Sequence, residues 1–237
     1  NLLGNPNEFD KIIKFTKKLK IKPFIVEDNC ESLGAKFNNK KTGSFGAISA
    51  NSFFFSHHIS SIEGGMLSTN NYEIYNLLLS LRSHGWTREL KENNPLIKKN
   101  KDKFKENFNF ILPGLNLRPT ELNAISGLEQ LKKINKFIKN RRKNYEIFKK
   151  CFENNKHLII QKEIGISSWF GFSIIIKNKK IKRDNLVKFL SKNKIETRPI
   201  VGGNITKNKM IKYFKVTNSK NKIFVNAEYI DKNGFFV

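Results

Sequence analysis

A chain of 237 residues with 38% hydrophobic content and 21 Phe is large enough to bury one large core or two modest ones. Its formal net charge of +25 comes from Lys scattered over almost every predicted helix and loop, with a surplus of Asn, Ile and Phe like that of an AT-rich genome. That pattern reads as a solvated surface and argues against a nucleic-acid-binding protein, which gathers its basic residues on one face. There is no apolar run of about 18 residues, so no membrane span is expected.

Two Cys, Cys30 and Cys151, give no disulfide framework and suit a reducing compartment. The opening residues, NLLGNPNEFD, have neither a basic segment nor a long apolar core. No signal peptide is expected, and the expected location is the cytoplasm.

Taken in chain order, residues 8–19 place Phe9, Ile12, Ile13, Phe15 and Leu19 at helical spacing after an Asn-Pro-Asn start signal. A strand is predicted at 24–26, ending in Glu27 and Asp28. The run 48–55 is continuous and aromatic, as a strand covered on both faces would be. A polar turn with His57 and His58 follows, then Glu63, Gly64 and Gly65, and a short strand at 66–69. Residues 72–81 read as an apolar helix, and 91–105 as a mobile, Lys/Asn-rich loop.

Pro119 suits a helix start, after which Leu122, Ile125, Leu128, Leu131 and Ile134 mark one face. Helical patterning continues through 135–152 and is expected to bridge two domains. Residues 168–176 read as a strand and 183–190 as an amphipathic helix. This alternation indicates an α/β layer architecture.

Five segments, in order, carry a resemblance. They are FIVEDNCESLGA (24–35), SFFFSHHISSIEGGM (52–66), LRSHGWTR (81–88), FILPGLNLRPTELNAISGLEQL (110–131), and the pair IETRPI (195–200) with Gly203-Asn204. Together they resemble the DegT/DnrJ/EryC1/StrS sugar aminotransferase family, which uses pyridoxal phosphate (PLP). The resemblance implies a three-layer PLP fold type I, aspartate-aminotransferase-like large domain, present in part over 1–137. A small α+β domain, incomplete, would occupy 138–237. It also implies that roughly the first third of the full protein and its C-terminal end are absent.

In that family the strand of SFFFSHH leads to a Lys that holds PLP as a Schiff base. Here His57 stands in its place, and an imidazole forms no imine. The substitution is that of the family's sugar 3-dehydratases, represented by GDP-4-keto-6-deoxy-mannose 3-dehydratase, which bind pyridoxamine phosphate (PMP) and PLP non-covalently and contribute to dideoxysugar and O-antigen biosynthesis. A sister branch adds an iron–sulfur cluster, but two Cys cannot supply four thiolates.

By the same resemblance His57 is the catalytic acid–base. Asp28 pairs with the pyridine nitrogen, Glu31 stands where aminotransferases carry Gln, and Ser52 meets the cofactor phosphate. Asn116 reaches a neighbouring subunit's phosphate, so a homodimer with shared sites is implied. His84, Arg88 and Arg118 would line the nucleotide-sugar site, and glutamate would be the amino donor. No metal is expected, because adjacent His side chains diverge and no third ligand lies nearby in sequence. The alternatives are a PLP-dependent sugar aminotransferase, which the missing Lys opposes, and a non-catalytic fragment or basic binding protein. Trp86 and Trp169 are expected to be core or loop anchors.

Overall fold

A computed structural model describes residues 1–214 and 224–237. Helix α1 (Phe9–Thr16) is shorter than its apolar spacing suggests. Strand β1 (Val26–Asp28) begins two residues later than expected, so that it includes both acids. A tight hairpin, β2 (Lys36–Phe37) and β3 (Lys40–Lys41), turns through Asn38 and Asn39, both in the left-handed region. Strands β4 (Ile48–Ser52) and β5 (Gly65–Ser68) complete a three-stranded sheet of order β1-β4-β5. In it β1 runs parallel to β4, and β5 antiparallel.

Strand β4 departs from the expectation of two apolar-covered faces. Its buried positions are Ser49 and Asn51, not hydrophobic residues. Asn51 is satisfied by the Asn29 side-chain amide at 2.7 Å, and Asn29 in turn accepts from Ser32. A polar network therefore lies under the strand that leads to the His turn.

Helix α2 (Tyr72–Leu81) matches its predicted span and is capped by Asn71. The region expected as a loop is irregular through residue 102, with the Asn94 side chain accepting from Leu96 and Ile97 N–H. It then forms one helical turn, α3 (Lys103–Glu106), capped by Asp102. Helix α4 (Glu121–Leu131) stops before a break at Lys132 and Lys133, and α5 (Ile134–Phe152) begins anew. On α4, Leu122, Ile125, Leu128 and Leu131 are each more than half exposed.

The second half is an antiparallel sheet of order β6-β7-β8, from β6 (Leu158–Ile160), β7 (Ser173–Ile176) and β8 (Gly234–Phe236), with α6 (Arg183–Lys192) and α7 (Val225–Asn233). Tyr145 and Phe148, one turn apart on α5, pack with Trp169, Ile174, Ile176 and Phe235 as its core. The strand predicted at 168–176 begins only at Ser173. Before it the chain bends at Trp169, whose φ of 43° is left-handed while its ring lies stacked on Tyr145. Among the described residues no helix is long and apolar enough to cross a membrane.

Glu27 anchors the first sheet. It is 3% exposed, and its carboxylate accepts the backbone N–H groups of Gly43 (2.6 Å), Gly46 (2.7 Å) and Phe45. Glu27→Gln puts an amide donor where three donors converge. With hydrogen bonds to a charged group worth about 1.5–3 kcal/mol each, the variant is expected to lose about 3 kcal/mol or more in a urea titration. Lys11→Gln, which removes an exposed ion pair, should shift the midpoint little.

Candidate active site

The parallel register Asp28↔Ala50 brings the C-terminal ends of β1 and β4 to one edge of the sheet. Asp28 leaves one strand there and Ser52 the other. Asp28 is exposed, and its Oδ1 accepts the Cys30 N–H at 3.0 Å. Burial of part of the group pulls its pKa upward. The hydrogen bonds from Cys30, together with the charges of the N-terminus and His57, outweigh burial and hold the carboxyl below its ordinary value. Asp28 is thus an anion at neutral pH, lying within electrostatic reach of His57. Burial and the neighbouring Asp28 push the Cys30 thiol up to about 11.

After Ser52 the chain folds into a turn closed by its own backbone. Phe53 N–H bonds to Gly64 O, and Phe53 O accepts from Ser61 N–H, both at 2.9 Å. Gly65 pairs with Ser52 so closely that a Cβ would lie 2.8 Å from Asn51 O. The glycine pair therefore meets a backbone requirement, Gly64 having a φ of 149°. Helix α4 supports the same turn from outside: Asn123 Nδ2 donates to the carbonyls of Ser61 (2.5 Å) and Glu63 (2.7 Å).

His57 is half-buried on this turn, its N–H bonded to Phe54 O. Its ring stands near-perpendicular to Phe54 and to Phe170, with centroids at 5.6 and 5.3 Å. Its Nδ1 is buried with no hydrogen-bond partner. His58 turns the other way and is 3% exposed, with Nε2 donating to Ser168 O at 3.2 Å. Burial, then the Arg141 charge, pull its pKa down to about 4. A cleft of about 400 Å³ is lined by both His together with Gln130, Asn140 and Arg141. A second, of about 200 Å³, lies between Ser56, Arg141, Phe170, Glu196 and Arg198.

The other predicted residues are placed as follows. Ser52 Oγ accepts the Phe54 N–H at 3.2 Å. Glu31 Oε2 accepts the N–H of Leu3, a residue in the left-handed region. His84, Asn116 and Arg118 form one exposed cluster: His84 N–H bonds to Leu115 O, Asn116 bridges Ser83, and Arg118 Nε donates to Asn116 Oδ1 at 3.1 Å. Arg88 lies 4.0 Å over the Trp86 ring, itself stacked with Phe108 and Phe110. None of the aromatic contacts of His57 involves this second cluster. Trp169 is a core anchor and Trp86 a loop anchor, as expected, the latter also carrying Arg88 over its ring. Phe170, Arg141 and Asn123 were missed altogether. Only Asn123, three residues after the helix-capping Thr120, stood inside a recognisable motif.

The sheet edge carries Asp28 and Ser52, with His57 on the next turn, and the chain has PLP fold type I in partial form. Over 100% of its length it superposes on E. coli GDP-4-keto-6-deoxy-D-mannose-3-dehydratase with bound hydrated PLP, with a TM-score of 0.92 and 50% identity, covering 61% of that chain. A structure of GDP-4-keto-6-deoxymannose-3-dehydratase with a trapped PLP–glutamate geminal diamine aligns over the same span at 49% identity, 61% coverage of that chain and TM-score 0.92.

The profile of the DegT/DnrJ/EryC1/StrS aminotransferase family matches residues 1–235, and the chain belongs to that family. It is also 50% identical, over 100% of its length, to GDP-4-keto-6-deoxy-D-mannose 3-dehydratase of Yersinia pseudotuberculosis. The chain spans 60% of the length of that relative.

Two outcomes follow from the titrating groups. At pH 8 iodoacetamide should modify exposed Cys151 and leave Cys30, about one part in a thousand thiolate, unmodified in peptide maps. His58, neutral in the folded state down to about pH 4, takes a proton near 6.5 when unfolded. Stability should therefore fall as pH drops through that window, by at most about 3 kcal/mol from this group. His58→Gln should flatten the slope of unfolding free energy between pH 6.5 and 4.

Proposed function

We propose that this protein is a PMP-dependent nucleotide-sugar 3-dehydratase that removes the C3 hydroxyl of a 4-keto-6-deoxy hexose. The observation that carries the reading is His57 on the turn after β4, where the family's aminotransferases place Lys. No Lys occurs between Ser52 and Met66. The names of the 50% identical relatives support a GDP-linked 4-keto-6-deoxy-mannose as substrate. The PLP and glutamate of the structural relatives support the cofactor and the amino donor.

The residues present fit the cofactor. Asp28, an anion held below its ordinary pKa, suits a protonated pyridine nitrogen, and Ser52 at the neighbouring strand end offers a hydroxyl to a phosphate. Glu31 is the further acid of that cofactor edge. Bound PMP supplies the amine that condenses with the 4-keto group and a ring that accepts electrons. His57 then moves the proton: an imidazole has a lone pair to accept one and an N–H to donate one, so one side chain serves the C4′ hydrogen and the departing C3 hydroxyl. His84, Arg88 and Arg118 bind the nucleotide diphosphate, for which guanidinium groups are suited.

The same reading includes a homodimer in which Asn116 serves the neighbouring subunit's cofactor. The exposed apolar residues Leu115, Leu117, Leu122, Ile125 and Leu128 support a covered surface beside it. A division into domains at residues 137 and 138, near the start of α5, and a cytoplasmic location belong to the proposal as well.

The test uses the complete protein with PMP, glutamate and GDP-4-keto-6-deoxy-mannose, with products identified by mass. His57→Asn should retain PMP and lose about 10²–10⁴-fold in dehydration. His57→Lys should capture PLP covalently, so that borohydride leaves a pyridoxyl group on the peptide spanning residue 57, whereas wild type stays unlabelled. Near-normal dehydration by His57→Asn would overturn the role of His57. A mixture of inactive His57→Asn and Asn116→Asp chains should regain part of the activity through hybrid dimers. No recovery despite demonstrated subunit exchange would count against shared sites.

A further inference from the structure

The imidazole of His57 makes no side-chain hydrogen bond through Nδ1, which is buried and unpartnered. Aromatic rings flank it instead. Phe54 belongs to its own turn, but Phe170 comes from the bend before β7, its ring 5.3 Å from the imidazole at an interplanar angle of 87°. Phe170 is itself firmly placed. Its N–H bonds to Leu3 O at 2.9 Å, and its carbonyl accepts from Arg141 Nη1 at 3.1 Å. The Arg141 guanidinium stands 5.9 Å from its ring. The neighbouring Ser168 carbonyl holds His58, so the backbone on either side of the contact is pinned.

We propose that Phe170 is a positioning residue for His57, fixing the plane of the imidazole by edge-to-face contact in place of the hydrogen bond that Nδ1 lacks. The contact is of a kind worth about 0.5–1.5 kcal/mol beyond area burial. That suffices to favour one ring orientation several-fold. The charged and titratable groups around it are Asp28 on β1, His58 on its own turn and Arg141 on α5. The catalytic consequence rests on the dehydratase reading. The contact itself does not.

The complete protein is compared with Phe170→Ala, Phe170→Leu and Phe170→Tyr. Phe170→Leu preserves bulk should the alanine variant fold poorly. Carbon-13 labelling of the four His lets the His57 Cε1–H resonance be assigned by its loss in His57→Asn. Phe170→Leu should shift that resonance by removing one of the two ring currents on it, the Phe54 ring remaining, lower kcat by about 10-fold or more, and change the KM for nucleotide-sugar less than twofold. Phe170→Tyr should restore both the resonance position and kcat.

An unmoved His57 resonance in Phe170→Leu would show that the rings do not meet and would overturn the proposal whatever the enzyme does. A displaced resonance with unchanged kcat would show that the contact does no positioning, and a rise confined to KM would make Phe170 a substrate contact instead. If wild type shows no dehydration, the dehydratase reading fails on that measurement, while the resonance still decides the contact.

Discussion

The imidazole of His58 donates through Nε2 to the carbonyl of Ser168, 3.2 Å away and shielded from water. With Nε2 protonated for that bond, a second proton would have to sit on Nδ1, which is buried without an acceptor. Burial, then the Arg141 charge, hold the imidazole's pKa low against the pull of the Ser168 hydrogen bond, so the ring stays neutral. This bond joins the turn after β4 to the bend before β7. These are the two segments that carry His57 and Phe170.

Segments whose chemistry is local were legible in the sequence. Helix α2 was found at its observed bounds, because Asn71 and an apolar repeat mark it. Asp28 was correctly placed at a strand end because acids closing a β-rich run have few other meanings. The interior of β4 was not legible: Ser49 and Asn51 are buried because Asn29 and Ser32 reach under the strand, and no periodicity announces a polar core. Nor was the bend at Trp169. A run of aromatic and β-branched residues reads as strand, yet stacking on Tyr145 and a left-handed backbone there keep residues 167–172 out of the ladder. Phe170 was missed for the same reason, since its partner lies across α5.

Two kinds of support divide the site. The acid and the hydroxyl are held by strand register, and each is steadied by one backbone N–H, from Cys30 and Phe54. The histidine turn is held by side-chain donors and ring contacts from three elements: Asn123 on α4, Phe54 within the turn, and Phe170 beyond α5. In the proposed reaction the first group binds and the second moves protons.

The bond between residues 58 and 168 spans 110 positions of chain, and Ser167 and Gly4 are joined across 163. During synthesis at about 5–20 residues per second, the histidine turn emerges on the order of ten seconds before the segment that completes it. Through that interval His58 and its apolar neighbours are bare. The nascent polypeptide thus passes through a stage in which β1, β4 and β5 can pair while the histidine corner remains open. A ribosome pause ahead of residue 168 would lengthen the stage at which a chaperone is most useful.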